Sequence, residues 1–261
     1  PAVYIRGHGL SALMIGVYVD DLIVTGGKLA EIVAFKQEMT SVFDMSDLGK
    51  LSFYLGIEVE QKEDYIAIKQ TGYAKKVLSQ FGMTDCNSTK CPMDPGVKLD
   101  ADKQGERVDA THFRRIIGCL RYLLHTRPDL AFSVGMTSRF MEKPTVKHLN
   151  AVKQILRYLK GTLNYGLVYT QEKKEELLVG YTDSDVGGDV VNRKSTGGMA
   201  FYVNESLVTW NSHKEKTVAL SSCEAEFMAA TAAAKQALWL RNLLSELTGT
   251  QPKVVTLMVD N

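Results

Sequence analysis

Apolar and polar positions alternate in short blocks over the first third of the chain. Leu13 to Val24, LMIGVYVDDLIV, sets Ile15, Val17, Tyr18, Val19, Ile23 and Val24 on either side of two adjacent carboxylates. β-Branched and aromatic flanks of this kind favour two short buried strands. Asp20-Asp21 falls where those strands must reverse, which predicts a β-hairpin with the carboxylates at its tip and Thr25-Gly26-Gly27 closing the second strand. From Leu29 to Phe43 the apolar residues Ile32, Phe35, Met39, Val42 and Phe43 recur at helical spacing, so an amphipathic helix is expected to pack on the hairpin's sheet. Leu51 to Val59 and Tyr65 to Ile68 read as two strands joined through Gln61-Lys62-Glu63-Asp64. Gln70 to Phe81 reads as a short helix with Tyr73, Val77, Leu78 and Phe81 on its apolar side, stopped by Gly82.

Periodicity lapses over residues 84–111, where Pro92, Pro95, Gly96 and Gly105 accompany many Asp and Lys residues, and a linker or long surface loop is expected. It returns as helices. Ile116, Ile117, Leu120, Leu123 and Leu124 mark one, Arg127-Pro128-Asp129 starts a second, and Pro144 precedes a third striped by Leu149, Val152, Leu156 and Leu159. Gln171 to Glu176 is a charged break. Beyond it the pattern switches to strands at Leu177 to Thr182, Gly198 to Val203 and Leu207 to Trp210. Ser221-Ser222-Cys223-Glu224 offers a capping box ahead of an Ala-rich region, Glu226 to Leu247, of one helix or two. Val254 to Val259 reads as a last strand ending at Asp260.

Composition bounds the reading. With 261 residues, 45% of them hydrophobic, the chain can bury a real core and is expected to hold two domains. It has no apolar run of bilayer length and no signal-peptide pattern at PAVYIRGHG, so no membrane partner is expected. It begins at proline and stops at Asp260-Asn261 just after a strand-like run, and so reads as a piece of a larger polypeptide. Cys86, Cys91, Cys119 and Cys223 fit neither zinc-finger spacing nor a disulfide framework, which points to free thiols in an intracellular protein. The five histidines have no ligand-spaced partners. Charge is unevenly spread: residues 112–160 carry ten Lys and Arg against two acids, a net +8 hidden within a total of +1. One basic helix would be a solvated face; three in succession suggest a phosphate-binding surface. Arg114, Arg115, Arg121, Lys153, Arg157 and Lys160 are its candidate contacts, the last three at helical spacing away from the apolar stripe.

Two carboxylate sets carry the candidate chemistry. Asp20 and Asp21 are either ordinary turn residues or, on rigid strands, ligands for hard divalent cations. Asp183, ending a strand in Tyr181-Thr182-Asp183-Ser184-Asp185, can converge with Glu226 in the first turns of a helix and with Asp260 at the end of the last strand. Ala229, Ala230, Ala233 and Ala237 give that helix a small face on which to sit close to a sheet. Singly, these acids read as strand-terminating turn residues and a first-turn acid favoured by the helix dipole. Together they would repel unless cations or protons intervene.

Tyr18-Val19-Asp20-Asp21 resembles the Y-x-D-D signature of reverse transcriptases. The longer run resembles the reverse transcriptase and RNase H part of a copia-type LTR-retrotransposon polyprotein, through DLGKLSFYLGIEVEQ from Asp47, IIGCLRYLLHTRPDLAFSV from Ile116, ILRYLKGT from Ile155, GYTDSDVGGD from Gly180, RKSTGG from Arg193 and VALSSCEAEFMAA from Val218. The resemblance implies an α+β and α/β architecture in four regions. Residues 1–83 would be the C-terminal part of a polymerase palm, with Asp20 and Asp21 as metal-binding catalytic residues and Leu51 to Val59 near the primer terminus. Residues 84–111 would be a linker and 112–170 a basic helical thumb and connection. Residues 177–261 would be an RNase H-like domain with Asp183, Glu226 and Asp260 as metal-binding catalytic residues. It further implies Mg²⁺ or Mn²⁺ as cofactor, and template-primer, RNA/DNA hybrid and the rest of the Pol polyprotein as partners, in a cytoplasmic particle or the nucleus. The family has another palm aspartate upstream and a further RNase H metal residue downstream, and an aromatic residue where Val186 stands. The isolated chain is therefore expected to be silent in polymerisation and weak or silent as a nuclease. Two alternatives remain: a non-catalytic nucleic-acid-binding remnant of a decayed or co-opted element, and a stand-alone nuclease that leaves the Asp20-Asp21 hairpin unexplained.

Overall fold

The hairpin around Asp20-Asp21 forms where alternation predicts it, in a mixed α/β chain whose computed structural model describes residues 2–171, 178–251 and 253–260. Two compact units divide the chain: Pro1–Ser52 with Gln236–Val255, and Phe53–Lys235 with Thr256–Asn261. These bounds differ from the four regions read from the sequence.

In the first unit, β1 (Ala2–Arg6), β2 (Leu13–Tyr18) and β3 (Asp21–Gly26) form an antiparallel sheet in that order. Tyr18 pairs with Asp21, so the loop is only Val19-Asp20. Asp20 lies at the tip, and Asp21 opens the return strand. β1 has no clear period, its Val3, Tyr4 and Ile5 all being exposed, which is why the pattern did not announce it. α1 (Leu29–Val42) contacts β3 with Ile32, Phe35 and Met39 half-buried. The two strands expected to be buried are mostly half-buried instead, and no residue of α1 is buried, because a three-stranded sheet under one helix covers little of either face.

The second unit contains two sheets and a helical core. β4 (Phe53–Tyr54), β5 (Ile57–Gln61), β6 (Tyr65–Lys69) and β7 (Gly166–Thr170) pair antiparallel in that order. The single strand expected from Leu51 to Val59 is broken at Leu55-Gly56, whose φ angles are 48° and 77°. The Tyr122 hydroxyl donates to the Leu55 carbonyl, and a Cβ on Gly56 would come within 2.8 Å of that hydroxyl oxygen. β7 corrects the wholly helical reading of 112–170: its apolar GLVYT adds to the edge of β6.

α2 (Thr71–Gln80), α3 (Ala110–Leu123), α4 (Ala131–Ser138) and α5 (Val146–Gly161) bury their stripes together, with Phe113, Ile117, Leu120, Leu130, Ile155 and Leu159 fully enclosed. Gly82 ends α2 at φ 66°, as its position predicted. The Asp109 side chain caps α3 by accepting from the Thr111 amide at 2.8 Å. The irregular stretch ahead of α3 lies along α5. Arg157 Nε donates to the Asn87 carbonyl at 2.8 Å, Lys147 Nζ pairs with Asp100 at 3.1 Å, and Leu99 is buried.

The last sheet is ordered β10-β9-β8-β11, from β8 (Leu178–Ser184), β9 (Thr196–Val203), β10 (Ser206–Lys214) and β11 (Thr256–Val259). β11 runs parallel to β8 and the other pairs are antiparallel. The start of β8 expected at Leu177, and most of the charged break before it, lie outside the described residues. Between β10 and β11 runs α6 (Ser222–Thr248), one helix rather than two. At its start the Glu224 amide donates to Ser221 Oγ at 3.1 Å, while the Glu224 carboxylate accepts from Leu220 N at 2.6 Å instead of closing the expected box on Ser221. Among the described residues no helix is long and apolar enough to cross a membrane.

Candidate functional site

Register brings the second carboxylate set together. β8 alternates so that Leu178, Gly180, Thr182 and Ser184 face inward and Asp183 falls on the exposed phase at the strand's carboxyl end. β11 pairs Val259 with Thr182, which sets Asp260 level with Asp183 on the neighbouring parallel strand. The third acid comes from the first turns of α6. Ala225, Ala229 and Ala233 are buried along that helix, and a Cβ on Gly197 of β9 would lie 3.5 Å from the Ala229 methyl group. Small side chains thus let α6 lie close to the sheet and carry Glu226 to the ends of the strands.

The Ser184 amide joins two of the acids, donating to Asp183 Oδ1 at 2.8 Å and to Glu226 Oε1 at 3.2 Å. Glu226 Oε2 is buried without a hydrogen-bond partner. Burial pushes the Glu226 carboxyl above its ordinary range, and the charges of Asp183 and Asp260 push it further, against the lowering effect of the Ser184 amide. Glu226 therefore feels both aspartates. Among the described residues, however, no three His, Cys, Asp or Glu side chains are drawn tightly enough together to hold an ion as they stand. The chemistry of the set still fits a hard divalent cation: three oxygen donors of like charge, one with a buried oxygen lacking any donor.

The other acids near this sheet have structural partners that spacing alone did not assign. Asp185 Oδ1 accepts from the amides of Thr196 at 2.8 Å and Gly188 at 3.1 Å. Buried Asp189 accepts from the amides of Val191 and Asn192 and pairs with Lys214. The run DSDVGGD thus holds one candidate ligand and two loop staples; the adjacent glycines were the available sign of a tight loop.

In the first unit Asp20, in the two-residue loop, and Asp21, at the start of β3, are both exposed. Val19 beside them adopts φ 55° and is 84% exposed. A β-branched residue rarely enters this left-handed region, at a cost of about 1–3 kcal/mol, and such strain clusters at functional sites.

Arg114, Arg115 and Arg121 on α3, with Lys153 and Arg157 on α5, are exposed, and Lys160 is half-buried. Arg157 is partly committed to the Asn87 carbonyl, and Arg114 reaches Thr111 and the Met141 carbonyl at 3.4 and 3.5 Å. Not every cation of the +8 block faces outward. Arg127 is buried, forked onto Asp129 at 2.7 Å, bonded to Thr162, and set against the rings of Tyr158 and Tyr165.

Fold and site together define a mixed α/β protein with strand-end carboxylates and a basic helical region. Residues 1–95 match the family described as reverse transcriptase (RNA-dependent DNA polymerase). The chain is 35% identical over 258 residues, 95% of its length, to the retrovirus-related Pol polyprotein from transposon TNT 1-94 of Nicotiana tabacum, and covers 19% of that protein. It is 33% identical over 256 residues to the Pol polyprotein from transposon RE1 of Arabidopsis thaliana, covering 97% of this chain and 17% of that one. It is also 31% identical over 232 residues to the putative transposon Ty5-1 protein YCL074W of Saccharomyces cerevisiae, covering 88% of this chain and 75% of that one. The chain belongs to the copia-type retrovirus-related Pol polyproteins of transposons. It spans less than a fifth of the length of the two plant polyproteins.

Proposed function

We propose that this chain carries two metal-assisted phosphoryl-transfer sites of a retrotransposon polymerase: a reverse-transcriptase palm hairpin at Asp20 and Asp21, and an RNase H-like site at Asp183, Glu226 and Asp260. The observation that carries the reading is the Ser184 amide bonded to both Asp183 and Glu226, beside a third acid whose charge acts on Glu226. The sheet order β10-β9-β8-β11, with one parallel edge pair and α6 as the crossover, supports an RNase H-like arrangement. Mg²⁺ or Mn²⁺ bound by these carboxylates would activate water and neutralise charge on the phosphate.

The chain's own residues supply the frame. Strand ends hold Asp183 and Asp260 at a fixed separation, the Ser184 amide orients the inner oxygens of Asp183 and Glu226, and α6 carries Glu226 on a closely seated helix. Exposed cations of α3 and α5 would position template-primer or RNA/DNA hybrid through its phosphates, without reading sequence. The remainder of the polyprotein is the proposed partner.

The competing reading, a nucleic-acid-binding remnant without catalysis, draws on the absence of a tight three-ligand group among the described residues. Titration calorimetry with Mg²⁺ or Mn²⁺ separates the two. Binding heat that Asp183→Asn removes is expected; a chain that takes up no cation, or does so equally well in that variant, leaves only the remnant.

A further inference from the structure

The loop that carries the chain from Asp183 on β8 back to β9 is closed by one residue pair. The Asp185 amide donates to the Thr196 carbonyl at 3.2 Å, and Asp185 Oδ1 accepts from the Thr196 amide at 2.8 Å. Ser184, whose amide joins Asp183 to Glu226, immediately precedes that closure. Whatever holds Asp185 and Thr196 together therefore also aims the Ser184 N–H.

Asp189, in the middle of the loop and 5% exposed, is gripped from two sides. From within the loop, Oδ1 accepts from the amides of Val191 at 2.9 Å and Asn192 at 3.2 Å, and the Asp189 carbonyl accepts from the Arg193 amide at 2.7 Å. From outside it, Oδ2 pairs with Lys214 Nζ of β10, and Arg139 Nη1 at the end of α4 stands 4.0 Å away. Arg139 Nη2 donates to Thr196 Oγ1 at 2.9 Å, so the same guanidinium touches the closing pair. Burial pushes the Asp189 carboxyl up, but Lys214 and the two amides outweigh it and hold the group below its ordinary range. Asp189 is thus a buried anion shared between cations of two separate elements. Such a group adds little net stability over apolar packing of the same volume, whereas removing one member leaves buried charge uncompensated. Without Asp189, Arg139 and Lys214 would repel each other, and Arg139 would draw Thr196 with it.

We propose that Asp189 is a positioning residue of the Asp183, Glu226 and Asp260 site. By tying the loop to α4 and β10 it fixes Asp185 against Thr196, and so the Ser184 amide that orients two of the acids. The proposal deepens the reading of those acids as an ion site and rests on it.

Two readouts test it on the whole chain. The Ser184 amide proton, followed by NMR of nitrogen-15-labelled protein in EDTA, reports its hydrogen bonds, and calorimetry with Mn²⁺ reports the site. In Asp189→Asn the Ser184 resonance is expected to move upfield as its bonds to the carboxylates lengthen, and Mn²⁺ affinity to fall roughly tenfold. Lys214→Met should do both to a smaller degree, and Lys214→Arg, which keeps the charge, should restore both. The Lys214 side chain is 26% exposed, so these variants carry the test if Asp189→Asn does not fold. Leu156→Ala lowers stability from within the helical core, which includes no residue of the loop, and should leave both readouts in place. A Ser184 resonance that stays put in Asp189→Asn and Lys214→Met, or moves as far in Leu156→Ala, would overturn the positioning role. So would unchanged Mn²⁺ affinity in those two variants. A resonance that moves as expected in a chain that takes up no Mn²⁺ would uphold Asp189's hold on Ser184 and overturn the ion-site reading instead.

Discussion

Glu226 carries an electrostatic cost that its fold imposes. Burial and two neighbouring carboxylates raise its protonation range above the ordinary carboxylate value of 4.5. The folded chain therefore binds more protons than the unfolded chain between that ordinary value and the raised one. Where the native state holds the extra proton, stability falls as pH rises. In EDTA, urea unfolding at stepped pH should show stability declining through this window, and Glu226→Gln should flatten the decline. An identical pH profile in that variant would show that Glu226 is not the group responsible. Asp183, Glu226 and Asp260 were legible as candidates because each ends a strand or opens a helix. The Ser184 amide that joins two of them was not, since a backbone donor leaves no trace in residue type.

Among the elements, β8 shows how tightly the sheet under the site is built. Gly180 pairs with Phe201 across the β8–β9 ladder, and a Cβ at Gly180 would sit 2.3 Å from the Phe201 ring in a fully buried position. Gly180→Ala is expected to destabilise by about 1–3 kcal/mol through overpacking. Gly198→Ala, whose Cβ would find ordinary contacts at 3.9 Å, should change stability by much less. Thermal or urea unfolding of both variants checks this, and equal effects would refute the packing account. The elements that sequence missed share a cause. LSFYLGIEV is apolar almost throughout, so its reversal at Leu55-Gly56 is carried by one glycine and by a tyrosine from α3 far along the chain. GLVYT of β7 is too short to show a period and becomes a strand only because the edge of β6 is open to it.

Over the whole molecule the uneven charge has consequences that no single residue carries. A surface that neutralises phosphates releases counterions, so hybrid affinity should fall linearly with salt on logarithmic axes. Replacing Arg115, Lys153 and Arg157 by alanine together should make that slope shallower by roughly 0.7–0.9 for each phosphate no longer neutralised. A slope unchanged in the triple variant would place the phosphate-binding cations elsewhere. Arg127 is the counter-example within the same block. Its charge counts toward +8 in the sequence but is taken up by Asp129 and Thr162 inside the fold.

Local order was determined by the chain itself: the hairpin at Asp20-Asp21, the stripes of α2, α3 and α5, the stop at Gly82 and the strand ends at Asp183 and Asp260 all follow from side-chain period, β-branching and backbone freedom acting over a few residues. Convergence was decided only in three dimensions. Whether Asp260 stands level with Asp183, and whether a cation faces solvent or, like Arg127, is buried in the fold, depend on register and packing between segments far apart in the chain, and local pattern carries no information about those distances.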